Sequence, residues 1–321
     1  MRGEYGPSVV LAVAIVLLGI LAAIVNPSYL TERTFGGVLQ LLAPLTFVAL
    51  GQLVVLLTGG IDLSVGPLTG FLVVVASFLI VDQPDKIFGL TGPLGLVAGL
   101  AAVGIAALVV GLANGWLVRK ARIPSVVATL AMFILLQGLM LWFRPQPAGL
   151  IQRGFTDLLE MRIWFVPVLM IAAVAVALGL EWALRRTTWG LELRAVGSRE
   201  DAARRIGIRA DRTVIGAYVL CSLIVLLAGL LLMAQIGIGD NQSGPSYTLA
   251  SITAVVLGGA SIYGGRGSFI GALLGAVTIQ QVETVTTYLR LSTSAEFLFT
   301  GLLTLIAAAV YSSARAARVR T

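Results

Sequence analysis

The 321-residue chain contains no histidine, one cysteine and only two lysines. Without histidine it can build neither a Cys/His zinc site nor a histidine-based triad, and Cys221 alone cannot close a disulfide within the chain. Most hydrolytic chemistry is thereby removed. Lys86 follows Asp85 and Lys120 follows Arg119, so no Gly-Lys pair exists and no P-loop can form. Any ATP that drives this protein must be bound by another chain. Charge itself is scarce: 12% of residues carry it, against roughly 25% in a soluble domain.

What fills the chain instead is apolar, with 58% hydrophobic residues and a mean hydropathy of +0.98. This composition predicts an all-α, polytopic membrane protein forming a single domain over residues 1–321. Apolar runs broken by Gly, Pro or charge give about ten transmembrane helices, at 8–25, 37–57, 65–81, 93–118, 124–143, 163–183, 213–236, 248–263, 267–288 and 295–312. Some of these are interrupted. The run 8–25 leads directly into Asn26-Pro27 without a small-residue cleavage pattern, so it reads as a retained helix. Cys221 reads as a small buried hydrophobe. A net charge of +7 and a pI near 10.1 would suggest nucleic acid in a soluble protein. Here the basic residues lie in short loops, which excludes nucleic acid as a partner and makes them markers of orientation. Sixteen of the 22 Lys and Arg residues fall in one set of alternate loops, placing both termini in the cytoplasm.

Between Gly36 and Val81 the only formal charge is Asp62, in Thr58-Gly59-Gly60-Ile61-Asp62-Leu63-Ser64-Val65-Gly66. The stretch is too long for one crossing and must contain a break. Its glycines weaken a helix, while Thr58, Asp62 and Ser64 can satisfy the freed backbone. A carboxylate at membrane depth is a candidate functional group; as a gate or path element and as a structural cap, Asp62 is equally well explained. Gln52, Asn114, Thr129 and Gln137 are polar positions within apolar spans, suited to interhelical hydrogen bonds or to lining a path. Gln280, Gln281 and Glu283 make the outer half of the ninth span polar. Gln235, Asp240, Asn241 and Gln242 fall at an outer loop. The largest polar interruption, 185–212, is a cytoplasmic segment holding eight arginines. Within it, 199–207 reads as a short helix capped by Ser198 and ended by Gly207, with Ala202, Ala203 and Ile206 as an apolar face needing a partner.

Three segments together resemble the permease subunits of ribose, xylose and autoinducer-type ABC importers. They are Val54 to Gly66; Asn114-Gly115 with Ile123-Pro124-Ser125-Val126-Val127-Ala128-Thr129-Leu130; and Thr188 to Ile208, continuing into Val255 to Ser261 and Gly264 to Ser268. The family's usual Gly-Asn pair is replaced by Ser198-Arg199, and Pro67 stands where Ser or Ala is usual. The resemblance implies a permease subunit, not itself an enzyme, in the bacterial inner membrane. It implies a second permease copy, a cytoplasmic ABC ATPase that holds ATP-Mg, an extracytoplasmic sugar-binding protein and surrounding lipid; this chain would hold no cofactor or metal. The segment 190–208 becomes the ATPase coupling region, with Gly190, Arg194, Ala195, Gly197, Arg199, Glu200, Ala202, Ala203, Arg204 and Gly207. Thr58, Gly59, Gly60, Asp62, Ser64, Asn114, Gln52, Gln280 and Glu283 become the candidate gate or translocation path. A branched-chain amino-acid permease is the nearest alternative. A proton- or ion-coupled transporter using Asp62 and Glu283 is a remoter one, because it leaves the partner-seeking basic helix unexplained.

Overall fold

The computed structural model describes residues 6–83 and 90–292, with positions 294, 298, 299, 301, 302 and 305 beyond them. Apart from those positions, the expected span 295–312 lies outside the described residues, as does Lys86. The chain forms α1 (Gly6–Val25), α2 (Glu32–Leu57), α3 (Val65–Ala76), α4 (Gly92–Arg119) and α5 (Ser125–Phe143). Then come β1 (Ala148–Leu150), α6 (Arg153–Leu159), β2 (Arg162–Ile163), β3 (Val166–Pro167), α7 (Val168–Arg186), α8 (Thr188–Ser198) and α9 (Glu200–Arg205). The remainder is α10 (Ala210–Ile236), β4 (Ile238–Gly239), α11 (Ser246–Leu257) and α12 (Phe269–Tyr288). Among the described residues, six helices are long and apolar enough to cross a membrane: α2, α4, α5, α7, α10 and α12. The molecule is a polytopic helical membrane protein.

Burial follows position in the bundle. The central α10 packs against α2, α3 and α4, α11 lies against α2, α3 and α12, and α1 rests on α12. By contrast α4, α5 and α7 turn apolar side chains such as Leu108, Ile134 and Leu178 outward. That is the pattern expected where hydrocarbon, not water, surrounds the protein.

The helix breaks have a common local cause. After Leu57 the chain closes α2 with Gly59 N–H to Leu56 O at 2.9 Å and Gly60 N–H to Val55 O at 3.3 Å. After Leu257 it closes α11 with Gly259 N–H to Val256 O at 2.9 Å and Ala260 N–H to Val255 O at 3.1 Å. Gly59 and Gly259 stand at φ +84° and +86°, where a side chain would be strained. The two breaks thus repeat one capping geometry.

Three expected spans change shape. The third, 65–81, is helical only to Ala76, about 18 Å of rise. Residues 61–64, which precede the helix and end in a turn, complete its height, because Ile61 reaches Ser125 at the start of α5 and Ser77 reaches Arg144 beyond its end. The eighth, 248–263, is helical only over the 12 residues of α11. The preceding loop descends into the bundle: Asn241 donates to Arg144 O at 2.5 Å, and a Cβ on Gly244 would stand 2.5 Å from Gly66 O. The sixth begins later than expected, because 162–167 forms a β2–β3 hairpin and Pro167 precedes the first turn of α7.

The ends of the helices form two separate groups. Arg33, Arg144, Arg153, Arg162 and Arg290 belong to the end where Tyr288 bonds Thr34, Arg162 bonds Gln40 and Arg144 bonds Ser77. The arginines of 185–212 gather with Arg119 at the end that carries both breaks.

Candidate functional site

At the first break Asp62 is 3% exposed and held by three groups. Its Oδ1 accepts from Ser64 N at 2.9 Å and Ser64 Oγ at 2.6 Å, and Oδ2 accepts from Asn114 Nδ2 at 3.4 Å. Asn114 also donates to Ser64 Oγ at 2.8 Å. Asp62 therefore caps the turn at Ser64, the residue before α3, and sets its charge near the start of that helix, where the dipole favours it. From α5, Thr129 Oγ1 accepts from Leu63 N at 3.1 Å, and Thr58 Oγ1 donates to Val55 O at 2.7 Å. Gly60 lies against α10: a Cβ there would meet Tyr218 Oη at 2.7 Å. These contacts bring Thr58, Gly59, Gly60, Asp62, Ser64, Asn114 and Thr129 into one site.

The second break has its own carboxylate. Glu181 on α7 accepts from Phe269 N at 2.7 Å and Ser268 Oγ at 3.1 Å, capping α12, and pairs with Arg185 at 2.5 Å. Each re-entering helix thus starts on a buried acid.

Both breaks meet the end of α8. Gly265 N–H bonds Leu57 O at 2.9 Å, and a Cβ on Gly197 would collide with that same carbonyl and stand 2.6 Å from Gly265 N. A Cβ on Gly264 would lie 2.7 Å from Gly59 Cα and 2.9 Å from Gly197 O. Only bare backbone allows three segments this close.

In the coupling region the structure redistributes the expected roles. Ser198 closes the 11-residue α8 and lies against Gly265, so it does not cap α9; Arg199 holds that position without a side-chain bond. Gly190 is packed on Leu184, Gly207 ends α9 at φ +88°, and Ala195 and Arg194 are half-buried. The Arg194 Nε finds no acceptor among the described residues. The expected apolar face divides: Ala203 points into the core, while Ala202 and Ile206, one turn apart, are exposed, Ile206 by 75%. Leu191, Ser198 and Arg199 are exposed on the same segment. Glu200 and Arg204 are engaged internally. Arg119 donates to Glu200 at 2.6 Å and 3.0 Å and to Asp211 at 2.6 Å, and Arg204 reaches Glu200 at 2.9 Å and Asp211 at 2.7 Å. Hydrogen bonds from Arg119 hold the Glu200 carboxyl below its usual range.

The other polar positions lie elsewhere. Gln52 is fully buried in α2 with neither amide atom paired among the described residues. Gln281 donates to Tyr29 Oη, tying α12 to the 3-10 turn Pro27–Leu30 that follows α1, and Gln280 donates to Glu283 at 3.2 Å. Gln235 donates to Gln40 O at 2.7 Å. None of these reaches the breaks.

A profile of the family described as branched-chain amino acid transport system, permease component, matches residues 34–308. The chain belongs to this permease family. Among relatives, the autoinducer 2 import system permease protein LsrC of Yersinia pseudotuberculosis serotype O:3 (strain YPIII) is 34% identical over 285 residues, covering 87% of this chain and 77% of the relative. LsrC from serotype O:1b (strain IP 31758) is 34% identical over 299 residues, 91% of this chain and 81% of the relative. No solved structure matches. The resemblance read from Thr58 to Gly66 is borne out by these relatives. As a permease component, the chain is the membrane-spanning part of a transporter, and its three resembling segments are the ones that converge on the breaks.

Reading the residues in order passed over Glu181, Arg119, Asp211 and Tyr218. Glu181 carried a usable signal, a carboxylate four residues before Arg185 within an apolar helix. Arg119 and Asp211 look like ordinary loop charges, and nothing local relates them to Glu200.

Proposed function

We propose that this permease imports a small sugar, a monosaccharide or a related polyol or signal sugar, across a bacterial inner membrane as one subunit of an ABC importer. The observation that carries this reading is the contact of the α8 end with both helix breaks, in a chain similar to autoinducer 2 permeases. A push on residues 190–208 reaches Leu57 and Gly265 without an intermediary. Two permease copies enclose a weakly polar path, and an extracytoplasmic sugar-binding protein delivers the substrate. Cytoplasmic ATPases bind ATP-Mg and dock on Leu191, Arg194, Arg199, Ala202 and Ile206. About ten crossings with both termini in the cytoplasm agree with the arginine asymmetry and with the two groups of helix ends. Asp62 and Ser64 hold the gate at the first break and do not contact the sugar.

Reconstitution with a cognate ABC ATPase and sugar-binding protein tests the reading. Uptake of a labelled sugar that requires ATP and survives collapse of the proton gradient is expected. Uptake of leucine in place of every sugar tried would establish the branched-chain alternative. Uptake without the ATPase would establish an ion-coupled carrier.

A further inference from the structure

The coupling region is fastened to the first break by two routes that do not share a residue. One is the backbone junction of Gly197 with Leu57 and Gly265. The other begins at Glu200 on α9, which Arg119 grips through two hydrogen bonds while also holding Asp211 at the start of α10. Arg119 is the last residue of α4, and its side chain is 15% exposed. Five residues back along the same helix, about 7.5 Å of rise, Asn114 donates to Ser64 and Asp62. Helix α4 is thus a short rigid strut between Glu200 and the Asp62 cap. Two attachments at different points on α8–α9 remove the freedom to pivot that one would leave.

We propose that Arg119 is a positioning residue that locks α9 to α4, so that residues 188–205 and both helix breaks move as one body when the ATPase acts. The guanidinium suits this role because its fork serves two carboxylates at once, which a lysine ammonium cannot do with fixed geometry. The inference rests on the proposed ATPase contact. It makes a separate claim, that coupling motion is rigid at this end of the molecule.

The test uses the complete transporter, with ATPase and binding protein, and spin labels at exposed Arg205 and Arg122 on the two sides of the clamp. In the parent the interlabel distance should differ by less than about 2 Å between nucleotide-free and ATP-bound states, the scale of a helix slide. In Arg119→Gln it should become nucleotide-dependent, and sugar moved per ATP should fall roughly three- to tenfold. A larger ATP-driven change in the parent overturns the proposal. So does Arg119→Gln showing a lower Tm with unchanged sugar per ATP, the mark of a merely structural pair. Cross-linking of Ala202→Cys to the ATPase separates the two levels: if it fails in every nucleotide state, the docking reading falls and takes the clamp's role with it, whereas its success leaves the distance measurement decisive.

Discussion

Asp62 and Glu181 show how a membrane bundle uses a carboxylate to satisfy backbone donors where a helix starts. Each accepts a backbone N–H at the start of a helix that begins inside the protein, where an unpaired donor would cost several kcal/mol. Asp62→Asn keeps an acceptor for Ser64 N, so thermal stability in detergent should fall by less than about 1 kcal/mol, with sugar uptake retained. Uptake lost at unchanged stability would make the charge itself part of transport. Glu181→Ala removes the acceptor that serves Phe269 N, Ser268 Oγ and Arg185 Nε, and should cost about 3 kcal/mol, read as a drop in Tm. A Tm equal to the parent's would mean that α12 does not depend on this cap.

At the scale of elements, α8 and α9 present two kinds of surface. Gly197 belongs to the inner kind: Gly197→Ala forces a Cβ into Leu57 O, so a cost of about 1–3 kcal/mol and reduced yield of folded protein are expected. Ile206 belongs to the outer kind, and Ile206→Arg should leave Tm unchanged while weakening co-purification of the ATPase. The reverse pattern would place the docking surface elsewhere. The clamp adds a pH dependence whose sign follows from the lowered Glu200 pKa. Its stabilisation is complete above the unfolded value of about 4.3 and is lost as pH falls through the lower folded value. A Tm difference between parent and Glu200→Gln should therefore be present at pH 7 and close only in strong acid; a gap already closed at pH 6 would contradict the clamp.

For the whole molecule the decisive property is its two unlike ends. Buried Cys221 gives little background for thiol labelling. Cysteines at exposed Trp164, in the hairpin before α7, and at Ile206 should react with an impermeant reagent from opposite sides of sealed vesicles. Labelling of both from one side would refute the two-ended topology. The sequence was legible at this scale because composition, hydropathic runs and arginine placement are sums over many residues, and a few misjudged boundaries do not alter them. Class, interrupted helices and the family resemblance could all be read from it. So could the break at Gly59, since local capping chemistry needs no distant partner. What the tertiary structure alone decided is which polar residues meet. Glu181 on α7 caps α12, Arg119 on α4 grips α9, and Gly197 touches two carbonyl-bearing breaks far away along the chain. Such pairings depend on how helices lie beside one another, and no periodicity within a single helix encodes its neighbour's identity.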